Sequence, residues 1–146
     1  MYDFINQKKG VSHEVKTDKE GGKNVTKAEF YEVWFKNFAL NIPTSDIQRY
    51  VKSTGNYIWH IFSWNLIPEN RYYSGQKAKE EFDKTDKCGA WYIDWFKDDR
   101  AHQIIPELKN ADCFDRFAEV YVVGKNCEWT YIKTHESSCG PYFMKR

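Results

Sequence analysis

The chain has 146 residues, the ordinary size of one domain, and its 22 Lys and Arg stand against 21 Asp and Glu for a net charge of +1. A chain of this length buries about two-thirds of its unfolded surface in a single core. Near-neutrality removes the basic excess that draws proteins to long nucleic acids or anionic membranes, and no stretch approaches the roughly 18 apolar residues needed to cross a bilayer.

From the N-terminus, Met1-Tyr-Asp-Phe-Ile-Asn6 lacks a basic region followed by a long apolar run, so the expected location is the cytoplasm. Residues 7 to 24 are charged and glycine-bearing with few apolar anchors. Residues 1–25 are therefore read as a flexible charged arm, and 26–146 as a single α/β domain. Thr26-Lys-Ala-Glu29 has the form of a capping box, and Phe30, Val33, Trp34 and Phe38 follow at helical spacing until Pro43. This predicts a helix from Lys27 to Leu40. Ser45-Asp-Ile-Gln48 repeats the capping logic, with Ile47, Tyr50 and Val51 as its buried stripe and Gly55 as its end, which predicts a short second helix.

Tyr57-Ile-Trp-His-Ile-Phe-Ser-Trp64 is aromatic and β-branched with apolar residues on both faces, the composition of a strand buried on two sides, with His60 inside. After a polar loop from Pro68 to Gly75, Ser74 is the expected cap of a helix carrying Ala78 and Phe82, and Gly89 to Phe96 reads as a strand. Pro106 breaks any helix through Asp98–Phe117, leaving room for a short one from Asp112. Glu119-Val-Tyr-Val-Val123, a turn at Gly124-Lys-Asn126, and Glu128-Trp-Thr-Tyr-Ile-Lys-Thr134 form an antiparallel hairpin by composition and loop length. Pro141-Tyr-Phe143 adds an edge strand. The expected fold is α/β (α+β): a mixed sheet of four or five strands covered by helices, with N-terminal helices, a βαβ-like middle and a C-terminal β-hairpin.

The four cysteines, Cys88, Cys113, Cys127 and Cys139, match no compact zinc or thioredoxin spacing and are read as free thiols in a reducing compartment. Aromatics make up 18% of the chain, six of them Trp, and rings of that size dominate the energetics of cores and interfaces. They concentrate in two blocks, each holding a His: Tyr57 to Trp64, and Trp129-Thr-Tyr-Ile-Lys-Thr-His-Glu136 running on to Cys139-Gly-Pro-Tyr-Phe143. These two blocks, with Val120-Tyr-Val-Val123, resemble the small bacterial family catalogued as domain of unknown function 4275. The resemblance runs from about Tyr57 to Phe143, and the stretch around Thr134-His-Glu136 is its specific part. It implies a small intracellular α/β domain and carries over no catalytic residue.

Four chemistries compete for the same residues. For an enzyme, His135 and Glu136 at the end of a strand, His60 from a neighbouring element and Cys139 as a nucleophile are the raw material of acid–base or covalent catalysis. Against it, successive strand residues point to opposite faces, so His135 and Glu136 share a pocket only if the strand has already ended; nucleophile elbows and Gly-rich phosphate loops are absent. For a metal, Cys127, His135 and Cys139, brought together by the hairpin, and His60 would make a tetrahedral set. A tight Cys-x-x-Cys pair is missing, so neither metal nor other cofactor is expected. For a nucleotide, Arg71-Tyr-Tyr73, Trp129, Tyr131 and Lys133 interleave rings with cations, although solvated Arg71 and Lys133 and a Trp129 in the core account for them better. For a protein partner, Trp, Tyr and Arg are the residues of interface hot spots. The last reading asks least of the sequence. The chain is expected to be a small cytoplasmic binding protein of the inhibitor, immunity or phage-antagonist type, with another protein as partner, a small ligand or nucleotide in the same place as the alternative, a small enzyme with a His/Glu/Cys site third, and no membrane or long nucleic acid. The expected contact residues are His60, Trp64, Trp129, Tyr131, His135 and Glu136.

Overall fold

The structure is a computed structural model that describes residues 25–146. The charged arm thus lies outside the described residues except for its last position, Val25, which is fully buried; its carbonyl accepts from the Ala101 amide at 2.8 Å.

Helix α1 spans Lys27–Phe38. The Thr26 hydroxyl accepts from the Glu29 amide, the Glu29 carboxylate accepts from the Thr26 amide, and Phe30, Val33, Trp34 and Phe38 form the buried stripe. Helix α2, Thr44–Tyr50, starts two residues earlier than a Ser45 cap would place it, behind Pro43 and without a side-chain cap. It runs through a 3₁₀ turn at Lys52–Thr54 to Gly55, whose φ of 102° is left-handed. A side chain there would also strike the Tyr57 ring at 2.6 Å, so glycine is needed on both counts.

The segment Tyr57–Trp64 is not a strand. It turns into a short helix, α3 (His60–Ser63), and buries Ile58, Trp59, Ile61 and Phe62 while Trp64 stands 53% exposed and His60 only partly covered. Positions i, i+1, i+3 and i+4 lie on one helical face as readily as an unbroken apolar run suits a strand, and over eight residues the period alone does not decide. Packing decides it: Phe62 stacks on Tyr142 at 5.0 Å and meets Trp34 edge-on at 6.2 Å.

Among the described residues the sheet has six strands: β1 (Tyr73–Ser74), β2 (Trp91–Asp94), β3 (His102–Gln103), β4 (Val120–Val123), β5 (Trp129–Lys133) and β6 (Tyr142–Lys145), in the order β1-β6-β5-β4-β2-β3. Every pairing is antiparallel, which replaces the mixed sheet and βαβ-like middle with an antiparallel α+β fold. The two extra strands are two residues long and carry no period of their own. β6 is interior rather than an edge strand because β1 pairs with its outer side. Helix α4 (Gly75–Lys84) follows β1 directly, with Ala78 and Phe82 buried as expected and Ser74 at the cap position without a side-chain bond. The stretch after Pro106 holds only a 3₁₀ turn, Ala111–Phe114, capped by the Asn110 side chain.

The β4–β5 hairpin forms as read, Tyr121 opposite Ile132 and Val122 opposite Tyr131. Gly124 sits in its connection because a Cβ there would lie 2.3 Å from the Trp129 indole nitrogen. Alternation along the strands divides the core in two. Trp91, Ile93, Tyr121, Val123, Ile132, Tyr142 and Met144 face α1, α2 and α3. Val120, Val122, Trp129, Tyr131 and Phe143 face α4 and the 3₁₀ turn, where Phe82 stacks on Tyr131 at 4.2 Å.

Candidate functional site

Four of the six expected contact residues meet at one corner of the first face, where β5 ends and α3 packs. His60, Trp64, His135 and Glu136 line an open cleft of about 440 Å³ together with Thr54, Tyr57, Trp59, Ser63 and Cys139. Trp129 and Tyr131 are elsewhere. Both are buried under α4 on the opposite face, because residues of β5 at even separations share a side. The six residues therefore do not form one surface, and of the nucleotide set Trp129 and Tyr131 are enclosed while Tyr73 stands exposed and Lys133 donates to the Phe117 carbonyl at 2.6 Å.

The same alternation would send His135 to the α4 side had the strand continued. It ends at Lys133, and the chain folds around Thr134, whose hydroxyl bridges the carbonyls of Glu136 (2.9 Å) and Cys139 (2.6 Å). This turn brings His135 and Glu136 into the same cleft, the condition that an extended strand could not satisfy.

Beneath His135 lies Glu119, fully buried at the residue before β4. Its Oε1 accepts from the His135 Nδ1–H at 2.6 Å and the Trp59 indole N–H at 3.0 Å; its Oε2 accepts from the Tyr121 hydroxyl at 2.6 Å. A carboxylate removed from water is tolerable only when its lone pairs are filled in this way. An ionised carboxylate has no proton to give, so Nδ1 of His135 is the donor and Nε2 is left on the side of Glu136, whose Oε2 is 3.5 Å away. The His135 side chain keeps 29% exposure. Burial, reinforced by the Glu119 charge, holds the Tyr121 hydroxyl's pKa well above its usual value, so it remains a donor to Glu119.

The rings frame this imidazole. Tyr57, Phe96 and Trp59 lie 4.9, 5.4 and 5.8 Å from His135, centre to centre, and Phe96 and Trp64 are about half exposed at the rim. His60 is anchored separately: its Nδ1 lies 2.7 Å from the Thr54 hydroxyl and 3.2 Å from the Tyr50 carbonyl. Burial holds the pKa of His60 below the ordinary 6.5.

The four-ligand metal set does not assemble. Cys127 lies at the turn end of the β4–β5 hairpin and His135 beyond the other end of β5, a separation of roughly 16 Å for five residues at 3.3 Å each. No group of three or more His, Cys, Asp or Glu among the described residues could hold a metal ion. Cys127 is buried, its thiol pushed up to about 12 by desolvation. No helix among the described residues is long and apolar enough to cross a membrane.

Glu119, Tyr121, Trp59 and Tyr57 are the site residues that sequence reasoning missed. One signal was present: Glu119 and Tyr121 are two apart in a strand otherwise made of valines, which puts a carboxylate on the inward face.

A family model described as "Domain of unknown function (DUF4275)" matches residues 11–143. The match reaches well beyond the Tyr57–Phe143 stretch that carries the resemblance, taking in α1 and much of the charged arm. Neither a curated protein nor a solved structure matches the chain.

Proposed function

The chain belongs to the DUF4275 family, whose description states no activity, and from its own site we propose that it is a small cytoplasmic binding protein, with the His135 cleft as its contact surface and another protein as its partner. The observation that carries this reading is the fully buried Glu119, which is held by Trp59 and Tyr121 and accepts from both the amide and the ring Nδ1–H of His135, setting that ring in one orientation within an open, ring-lined cleft. A directed polar edge inside an apolar frame is the form of an interface hot spot, and the half-exposed Trp64 and Phe96 supply apolar area at the rim. An open cleft of this kind suits a protruding side chain better than an enclosed metabolite.

A second reading, acid–base or covalent chemistry on a small ligand, has one observation in its favour. A His backed by a buried carboxylate is the arrangement of a general base, and Cys139 lines the same cleft.

Native mass spectrometry of the untagged full chain mixed with lysate of its host tests both. The expected result is a complex with one other chain that disappears in Trp64→Ala/Phe96→Ala, while that variant unfolds at the same denaturant concentration as the parent. A complex indifferent to the substitutions overturns the assigned surface. A reproducible non-protein adduct lost in His135→Ala transfers support to the second reading.

A further inference from the structure

The cleft accepts hydrogen bonds and offers aromatic faces, and its lining holds no cation of fixed charge. Glu136 carries a 55% exposed carboxylate at one side. His135, with its Nδ1–H committed to Glu119, presents Nε2 beside that carboxylate as an acceptor when neutral. Tyr57, Trp59 and Trp64 supply the ring walls, and no Lys or Arg is among the lining residues. Arg49, on α2, lies instead over the Tyr50 ring at 5.3 Å, and Tyr50 packs against Trp64 at 5.4 Å; the outer wall of this corner already accommodates one guanidinium on an aromatic face. The buried charge of Glu119 lies beneath.

Resting on the binding reading above, we propose that the cleft recognises the guanidinium of an arginine side chain on the partner protein. The charge complementarity selects a cation, since an anion would meet the Glu136 carboxylate with no Lys or Arg in the lining to offset it. The ring walls select a planar cation: guanidinium stacks on aromatic faces and directs its N–H groups in a fixed fork, whereas an ammonium is a compact, strongly hydrated charge. In the bound state two N–H groups reach the Glu136 carboxylate, a third reaches His135 Nε2, and the plane lies along the Trp64 ring.

The test is an NMR titration of the full chain with N-acetyl-arginine methylamide, compared with the lysine, glutamate and norleucine analogues. Saturable shifts are expected at the Trp64 indole N–H and at the amides of His135 and Glu136, strongest with the arginine probe. Glu136→Gln should weaken binding about fivefold and Trp64→Ala by at least as much, corresponding to the loss of one charge-assisted contact or one stacking face. Equal binding of the lysine probe overturns the choice of guanidinium. Shifts at these positions with the glutamate or norleucine probe but not with arginine overturn the cation assignment and leave the binding reading standing. If no probe perturbs the cleft, the assignment is likewise overturned, and the mass measurement alone then decides whether the surface binds anything. Arginine-dependent shifts unaffected by either substitution place the cation elsewhere and count against both readings.

Discussion

The two faces of the central hairpin use the same kind of residue for opposite ends. Under α4, Phe82, Phe114, Trp129, Tyr131 and Phe143 pack ring on ring, and the Tyr131 hydroxyl is buried among them without a partner. At the His135 corner the rings Trp59 and Tyr121 also pack, but each gives its polar tip to Glu119. The α4 face shows what aromatics do when burial is the only demand on them. The His135 corner shows aromatics spent on holding a charge and an imidazole in place, which stability alone does not require.

The comparison is broken most severely by removing mass from the packed face. Phe82→Ala should cost about 4 kcal/mol, because the ring is fully buried and its neighbours are too large to close the gap; urea unfolding reads it, and a cost under about 1 kcal/mol would mean that this face is not the anchor of the fold. Glu119→Ala strands the donors of Trp59, Tyr121 and His135 and should cost about 3 kcal/mol. It should also abolish binding at the cleft, an effect that Phe82→Ala lacks in whatever fraction stays folded.

The sharpest contrast comes from one substitution made on each face. Tyr121→Phe removes a hydroxyl bonded to a buried carboxylate and should destabilise by about 2 kcal/mol, whereas Tyr131→Phe removes a buried hydroxyl with no partner and should stabilise by about 1 kcal/mol. Thermal unfolding of the pair gives opposite signs if the two faces differ as described. Equal signs would show that Tyr131 is satisfied by bound water and that the faces are alike.

The smallest effect concerns His60. Burial lowers its pKa below 6.5, so its ring resonances should titrate with a midpoint below that value. Unfolding restores the ordinary pKa. The unfolded chain then takes up the proton first on acidification, and this group's contribution is a loss of stability that begins as pH falls through about 6.5 and is absent above about pH 7.5. His60→Gln should flatten that part of the stability–pH curve; no change would mean that the ring is as solvated folded as unfolded.

Much of this arrangement was legible beforehand. The Thr26–Glu29 capping box and the Phe30, Val33, Trp34, Phe38 stripe specify α1 locally, since both depend only on neighbours within a turn or two. The β4–β5 hairpin is local in the same sense. His60, Trp64, His135 and Glu136 were named together and do line one cleft. Trp129 and Tyr131 were named with them because they are adjacent in sequence, and strand alternation put them on the far face. The shape of Tyr57–Trp64 was not legible, because an eight-residue apolar run fits a buried strand and a buried helical turn alike.

By itself, then, the sequence determined those elements whose signals are short-range: one capped helix, one hairpin, a helix carrying Ala78 and Phe82, and the near-neutral charge that argues against long polyanions. Tertiary structure alone decided what depends on contacts between distant residues. It set the order of the six strands, the helical form of α3 against Trp34 and Tyr142, and the meeting of Glu119 with Trp59 and His135 across 60 and 16 positions of chain. The physical reason is that a carboxylate's place in the core is set by the donors that reach it, and those donors come from segments whose proximity exists only once the sheet has formed.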